Sequence, residues 1–130
     1  MAPTVSIRRR IAAADGVIAV RAVLAGADDR ATVATASRYL LEQLADEAEG
    51  HTVEVRVPPF GAVQAIPGPR HTRGTPPNVV ELDAATWIAL ATGVETWDAA
   101  VADLRVTASG QRATLAEHLP LRWAPDPGGE

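Results

Sequence analysis

The stretch Asp83–Gly93, with the sequence DAATWIALATG, predicts a short helix that carries both its start and its stop signal. Asp83 suits the position before a helix because its carboxylate accepts hydrogen bonds from amides that have no partner inside the helix. Gly93 suits the end because glycine readily adopts the left-handed conformation that terminates helices. Trp87 and Leu90 are three residues apart and share one face, so this face is expected to be buried.

The chain before this helix changes from helical to strand-like periodicity. Apolar side chains recur at helical spacing in residues 13–25, and again in a second helix that Asp28 or Asp29 can cap and Gly50 ends. The alternation of valine with polar residues in Thr52–Val57 then predicts a strand with one buried face. Two more strands are expected, at Gly61–Ile66 and Asn78–Leu82.

The chain after this helix predicts another short helix, a strand and a last helix. Thr96 can cap the short helix, and the alternation of apolar residues within 104–108 predicts the strand. The last helix is expected to carry Leu115 and Leu119 and to end at Pro120, because proline does not continue a helix.

Composition excludes several classes of function. Twelve basic against sixteen acidic residues give a net charge of −4, which argues against nucleic-acid binding. The chain has no cysteine, which excludes disulfides, thiolate metal sites and cysteine nucleophiles, and no lysine, which excludes Schiff-base chemistry. The three histidines, His51, His71 and His118, lack the spacing of a helical metal motif, so neither a metal nor a cofactor is expected.

The length of 130 residues predicts one domain, over residues 12–120. Residues 1–11 are expected to form a flexible arm, and residues 121–130 hold too little apolar material to become ordered. No apolar run approaches the roughly 20 residues that span a bilayer, and no signal-peptide pattern is found. We therefore expect a cytoplasmic protein without stable membrane insertion.

The segment Arg70-His71-Thr72-Arg73 concentrates functional residue types among rigid prolines. Its guanidinium groups present paired donors that can hold a carboxylate or phosphate head group. Alternatively, the segment is an exposed connector or a short edge strand whose arginines pair with neighbouring glutamates.

The aromatic residues Phe60, Trp87 and Trp97 also allow two interpretations. Trp87 and Trp97 lie on consecutive short helices, where large aromatic side chains either pack in the core or line a ligand cavity. Phe60 follows two prolines and either anchors a turn or closes one end of a pocket.

The order of these elements resembles a known family. The segments Asp83–Gly93, Thr96–Val101 and Val106–Gly110 are similar to the C-terminal half of sterol-carrier-protein-like domains. The segments Val55–Gln64 and Arg73–Glu81 are similar to short stand-alone bacterial orthologues of that family. The pattern also resembles the C-terminal domain of mycothiol-dependent isomerases, whose catalytic metal belongs to a different domain.

This resemblance implies an α+β fold. Such a fold has an approximately five-stranded, mostly antiparallel sheet, with about five helices packed mainly on one face. Family members bind sterols, fatty acids or fatty acyl-CoA in a hydrophobic tunnel and do not change them covalently.

Our leading hypothesis is a non-enzymatic module that binds or carries a lipophilic or amphipathic small molecule between sheet and helices. The expected apolar wall consists of Val80, Leu82, Trp87, Leu90 and Trp97, and Phe60 is a further candidate ligand contact. The expected polar end consists of Arg70, His71, Arg73 and Asn78.

Two alternatives stay open at this point. The chain could be a catalytic or accessory domain that acts on an anionic small molecule, with His71 as the proton carrier. It could also be a protein-interaction module with a filled core, which recognises a protein partner or a second copy through the surface around Pro76 and Pro77.

Overall fold

A computed structural model describes residues 10–68 and 78–125 of the chain. Its regular elements follow in the order helix, helix, strand, strand, strand, helix, helix, strand. Their bounds are α1 Ala13–Leu24, α2 Arg30–Glu47, β1 Val53–Val57, β2 Gly61–Ala65, β3 Asn78–Leu82, α3 Ala84–Thr92, α4 Trp97–Ala102 and β4 Val106–Ser109. A single 3-10 turn follows at Ala116–His118.

The strands form one mixed sheet in the order β2-β1-β3-β4. Strand β1 pairs antiparallel with β2 and parallel with β3, and β3 pairs antiparallel with β4. In this register Val55 lies between Val63 and Val80. The α+β class is confirmed, but in the part of the chain described the sheet has four strands, not five, and the α-helices also number four.

The sheet buries one face, as the valine alternation predicts. Val53, Val55 and Val57 are almost completely buried. On the opposite face Glu54 pairs in register with Gln64, and Arg56 with Glu81, so this face is polar. A period of two thus sends alternate side chains to the core and to water.

The predicted helix caps are present. The Asp29 carboxylate accepts from the Thr32 amide at 3.0 Å, and the Asp83 carboxylate accepts from the Thr86 amide at 2.8 Å. The Thr96 hydroxyl caps α4 by accepting from the amide of Ala99. These side chains satisfy amides that have no partner inside the helix.

The core lies between the buried sheet face and helices α2 and α3. Leu40 and Leu44 from α2 meet Trp87 and Leu90 from α3 in one cluster, and all four are fully buried. The Trp87 indole Nε1 donates to the backbone carbonyl of Ser37 at 3.2 Å, so the buried indole keeps a hydrogen-bond partner.

The prediction of a last helix around Leu115 and Leu119 is wrong, because only the short 3-10 turn forms there. The amide of Arg112 donates to the Asn78 side chain, and the amide of Ala116 donates to the Thr114 hydroxyl. Side chains therefore take amides that an α-helix would direct to its own carbonyls.

The predicted strand also begins later than expected, at Val106. The amide of Leu104 donates to Val101 O and the amide of Arg105 donates to Ala100 O, which is the hydrogen-bond pair of a Schellman helix end. Leu104 adopts φ 61° at this end and is 89% exposed, so it ends α4 and does not start the strand.

Residues just outside both ends of the expected domain pack against the rest of the protein. The Arg10 guanidinium donates to the Asp46 carboxylate, and the amide of Ile11 donates to Glu42 at 3.0 Å. At the other end Leu121 is buried, so the packed chain continues past the expected boundary at residue 120.

Across residues 10–68 and 78–125, no helix combines the length and the apolarity that crossing a bilayer requires.

Candidate functional site

An apolar groove lies where α3 and α4 meet residues 110–125, which we call the closing segment. Its volume is about 300 Å³. Its apolar lining consists of Leu90, Gly93, Trp97, Ala116, Leu119 and Pro120. We call this the Trp97 groove.

Two features hold the closing segment against α3. The amide of Leu121 donates to the carbonyl of Ala91 at 2.9 Å. Gly93 ends α3 with φ 84°, and a side chain added there would come within 3.3 Å of the Pro120 ring. Glycine at this position therefore provides both the left-handed turn and the close approach of the two segments.

One rim of the Trp97 groove is polar and acidic, with Glu95, Thr96 and Asp98. Arg105 fixes this rim because its guanidinium donates twice to the Glu95 carboxylate and once to Asp103, the latter at 2.6 Å. Paired donation of this kind orients the carboxylate as well as neutralising it. The Asp98 carboxylate has no cation paired with it among the described residues, so the rim stays negative.

A second, more polar cavity of about 400 Å³ lies on the far side of the 3-10 turn. Its walls include Thr52, Ile66, Pro67, Arg112, Thr114 and His118. We call it the Arg112 cavity.

A third groove connects the two. It shares Glu117 and His118 with the Arg112 cavity and shares Leu119 and Pro120 with the Trp97 groove. Arg122 also lines it. The three cavities therefore adjoin, and the groove between the other two carries the carboxylates of Glu47 and Glu117.

The predicted apolar site residues divide between core and groove. Val80, Leu82 and Trp87 are buried in the core, and none of them lines these three cavities. Leu90 and Trp97 come together in the Trp97 groove. The structure therefore unites two of the predicted residues at one surface.

Phe60 lies apart from both cavities and anchors the turn between β1 and β2. The Arg30 guanidinium lies 5.4 Å from the centre of its ring, and the Arg38 Nε donates to its carbonyl at 2.8 Å. A cation over an aromatic face is attracted by the ring quadrupole. These contacts attach the turn to helix α2.

Asn78 makes hydrogen bonds within the protein. Its Nδ2 donates to the Thr52 carbonyl at 2.9 Å, and its Oδ1 accepts from the Arg112 amide at 3.0 Å. Both bonds position walls of the Arg112 cavity.

Arg70, His71 and Arg73, together with the surrounding residues 69–77, lie outside the described residues. The residues on either side of this segment are described. Asn78 bonds to Thr52, and a side chain added at Gly68 would contact the Thr52 hydroxyl. Gly68 and Asn78, the described residues that flank the segment, therefore both lie beside Thr52, which is a wall of the Arg112 cavity.

Sequence reasoning missed Leu119, Pro120, Arg112 and His118 as site residues. The sequence assigned Leu119 to a last helix and Pro120 to its end, and this local interpretation hid their approach to α3. In the described part of the chain, no group of three histidine or acidic side chains is arranged to hold a metal ion.

The comparisons assign the chain to a family. A family model described as bacterial SCP ortholog matches residues 29–121, which is most of the chain, so the chain belongs to this family. The match confirms the resemblance to sterol-carrier-like domains, and it covers every residue that lines the Trp97 groove. No curated protein matches the chain.

Proposed function

We propose that this protein binds or carries a lipophilic or amphipathic small molecule of the fatty acid, acyl-CoA or sterol type, without changing it covalently. The observation that carries the proposal is the Trp97 groove, where an indole ring and aliphatic side chains line a concave surface at the meeting of three segments. Small-molecule sites are commonly concave, mostly apolar and provided with a few polar groups.

The volume of the groove indicates what it accommodates. At about 300 Å³ it lies at the lower end of the roughly 300–1,000 Å³ common for ligand sites. This favours an alkyl segment or one ring system of a larger molecule, with the remainder lying along the connecting groove.

The buried state of Val80, Leu82 and Trp87 argues for a site beside the core. A ligand between sheet and helices would have to separate side chains that are at most 3% exposed. Trp97 is only partly buried and reaches the groove without that separation, and Leu90, although buried, lies directly beneath the groove surface. The proposal therefore keeps these two residues as apolar contacts and adds Leu119 and Pro120.

Arg70, His71 and Arg73 stay in the proposal as contacts for the polar end of the ligand. The support is that Gly68 and Asn78, which flank their segment, both lie beside Thr52 at the Arg112 cavity. Replacement of both arginines by glutamine is expected to weaken binding of anionic ligands more than of neutral ones.

The experiment is native mass spectrometry of freshly purified protein, followed by extraction and identification of any co-purifying molecule. The exposed Ala116 lines the groove, so Ala116→Trp is expected to fill it and abolish the bound mass. Ala102→Trp is the matched control, because Ala102 is also exposed and lines none of the three cavities. Equal ligand retention by both variants would contradict the proposed site.

A second candidate function is protein interaction, and exposed apolar side chains near α4 favour it. Val94 is 70% exposed, and Val101 and Leu104 are also exposed. A pull-down from the host with Leu104→Ser as control tests this candidate. If a host protein is captured only when Leu104 is present, and native mass spectrometry finds no bound small molecule, protein interaction would replace the small-molecule proposal.

We also propose that the protein does not convert the molecule it binds and that it acts in the cytoplasm. A metabolite panel tests the first, since conversion of any compound would make the protein an enzyme. Fractionation of host cells tests the second.

A further inference from the structure

We infer that the Arg112 cavity receives the anionic end of an amphipathic ligand whose apolar part lies in the Trp97 groove. This inference rests on the proposed function and adds the charge and the direction of the bound molecule. Three observations carry it: an uncommitted guanidinium group, a fixed wall behind it, and a difference in charge between the two ends of the surface.

The uncommitted group is the guanidinium of Arg112. Within the described ranges it makes no hydrogen bond and no ion pair, whereas Arg10, Arg56 and Arg105 are all paired with carboxylates. The fork of a guanidinium group matches the two oxygens of a carboxylate or a phosphate. Arg112 is therefore available to a ligand.

The wall behind this side chain is fixed. The Arg112 amide is held by Asn78, and Asn78 is held in turn by the Thr52 carbonyl. A Cβ at Gly110 would overlap the Asn78 side chain, so the chain passes close to it. A charged group on a fixed backbone loses less freedom on binding than one on a mobile loop.

The two ends of the surface differ in charge. The Trp97 groove has an acidic rim, where Glu95 is paired with Arg105 but Asp98 has no cation paired with it among the described residues, and this rim disfavours an anionic head group. The opposite end offers Arg112 and His118, with Glu117 as the acidic side chain in the lining of that cavity. An anionic amphiphile is therefore stabilised in one direction, with its head at Arg112 and its tail past Leu119.

The experiment compares decanoate, decanol and inorganic phosphate by isothermal titration calorimetry on the full chain. Decanoate is expected to bind roughly tenfold more tightly than decanol, because a hydrogen bond to a charged partner contributes about that factor. Arg112→Gln is expected to remove this preference and leave decanol unchanged, and Arg112→Lys to restore part of it. Arg21 is an exposed arginine on α1, so Arg21→Gln is the matched control and is expected to keep the preference for decanoate over decanol.

The outcomes separate this inference from the proposed function. Equal affinity for decanoate and decanol, or an equal loss of both in Arg112→Gln, overturns the anionic end and leaves lipid binding intact. Phosphate that binds as tightly as decanoate overturns the link to the apolar groove, because the site is then one for a free anion. Absence of binding by decanoate and decanol overturns both proposals.

Discussion

Tyr39 and Ser37 show how single side chains on helix α2 set the stability of the core. The Tyr39 hydroxyl donates to the Trp123 carbonyl at 2.7 Å and so attaches the end of the described chain to α2. The backbone carbonyl of Ser37 accepts from the buried Trp87 indole, while its own side-chain hydroxyl lies in the core. One residue therefore fastens the closing segment, and the other fastens α3.

The raised pKa of Tyr39 predicts how the free energy of unfolding changes at alkaline pH. Burial, and then the nearby Glu47 carboxylate, raise the pKa of Tyr39 above its ordinary value. The folded state therefore holds the phenol proton more tightly than the unfolded state does. This contribution to stability is complete below about pH 10, the unfolded pKa, and is lost as pH rises through the folded pKa.

This pH dependence can be measured cleanly because Tyr39 is the only tyrosine and the chain has neither lysine nor cysteine. Urea unfolding of the wild type is expected to show falling stability above about pH 10. Tyr39→Phe is expected to lose about 1 kcal/mol at neutral pH and to show a flatter profile above pH 10. An unchanged alkaline slope in the variant would contradict the assignment.

Removal of the buried Ser37 hydroxyl is expected to stabilise the protein. Its fully buried hydroxyl oxygen has no hydrogen-bond partner among residues 10–68 and 78–125. Alanine keeps the carbonyl that accepts from Trp87 and has a higher helix propensity. Ser37→Ala is therefore expected to raise the free energy of unfolding by about 1 kcal/mol, measured by urea denaturation. Ser109→Ala, on exposed β4, is the control; a marked loss for Ser37→Ala would indicate that its hydroxyl is paired.

At the scale of elements, helices α1 and α2 pack unusually closely at one point. A Cβ added at Gly16 of α1 would overlap the ring of Tyr39 on α2. The ring is held from its other end by the hydrogen bond to Trp123, so it has little freedom to move aside. Glycine inside a helix normally lowers stability, and here the close packing explains why it is present.

Gly16→Ala is expected to destabilise the protein although alanine has the higher helix propensity. The propensity gain is about 1 kcal/mol, and overpacking in a core has a cost of about 1–3 kcal/mol, so the clash is expected to prevail. Thermal or urea unfolding measures the change. In a Tyr39→Ala background the same substitution is expected to become stabilising, and a cost that persists there would contradict the packing explanation.

Elements whose signals are local could be predicted from the sequence, and those that depend on distant partners could not. The caps Asp83 and Thr96, and Asp29 as one of two candidates with Asp28, could be predicted because each bonds an amide three residues away. The last helix was predicted wrongly because the Arg112 amide bonds to Asn78, which lies 34 positions earlier in the chain. Periodicity does not record such a partner.

At the scale of the whole molecule, the candidate site arises where segments from different parts of the sequence meet. Leu90 and Trp97 could be predicted as candidate apolar residues because each lies on a short capped helix, and both line the Trp97 groove. Leu119 and Pro120 could not, because their role depends on the hydrogen bond that joins Leu121 to α3. Arg112 and His118 come to line the Arg112 cavity in the same way, through the fold of the closing segment.

We propose that a lipophilic ligand binds beside the core at Trp97 and does not enter the core at Trp87. The chain has three tryptophans, so a nitrogen-15 NMR titration with decanol can follow their indole N–H signals separately. The Trp97 signal is expected to shift to saturation, while the signal of Trp87, whose indole is buried and bonded to Ser37, is expected to stay in place. A shift of Trp87 larger than that of Trp97, or no shift of any indole signal, would contradict it.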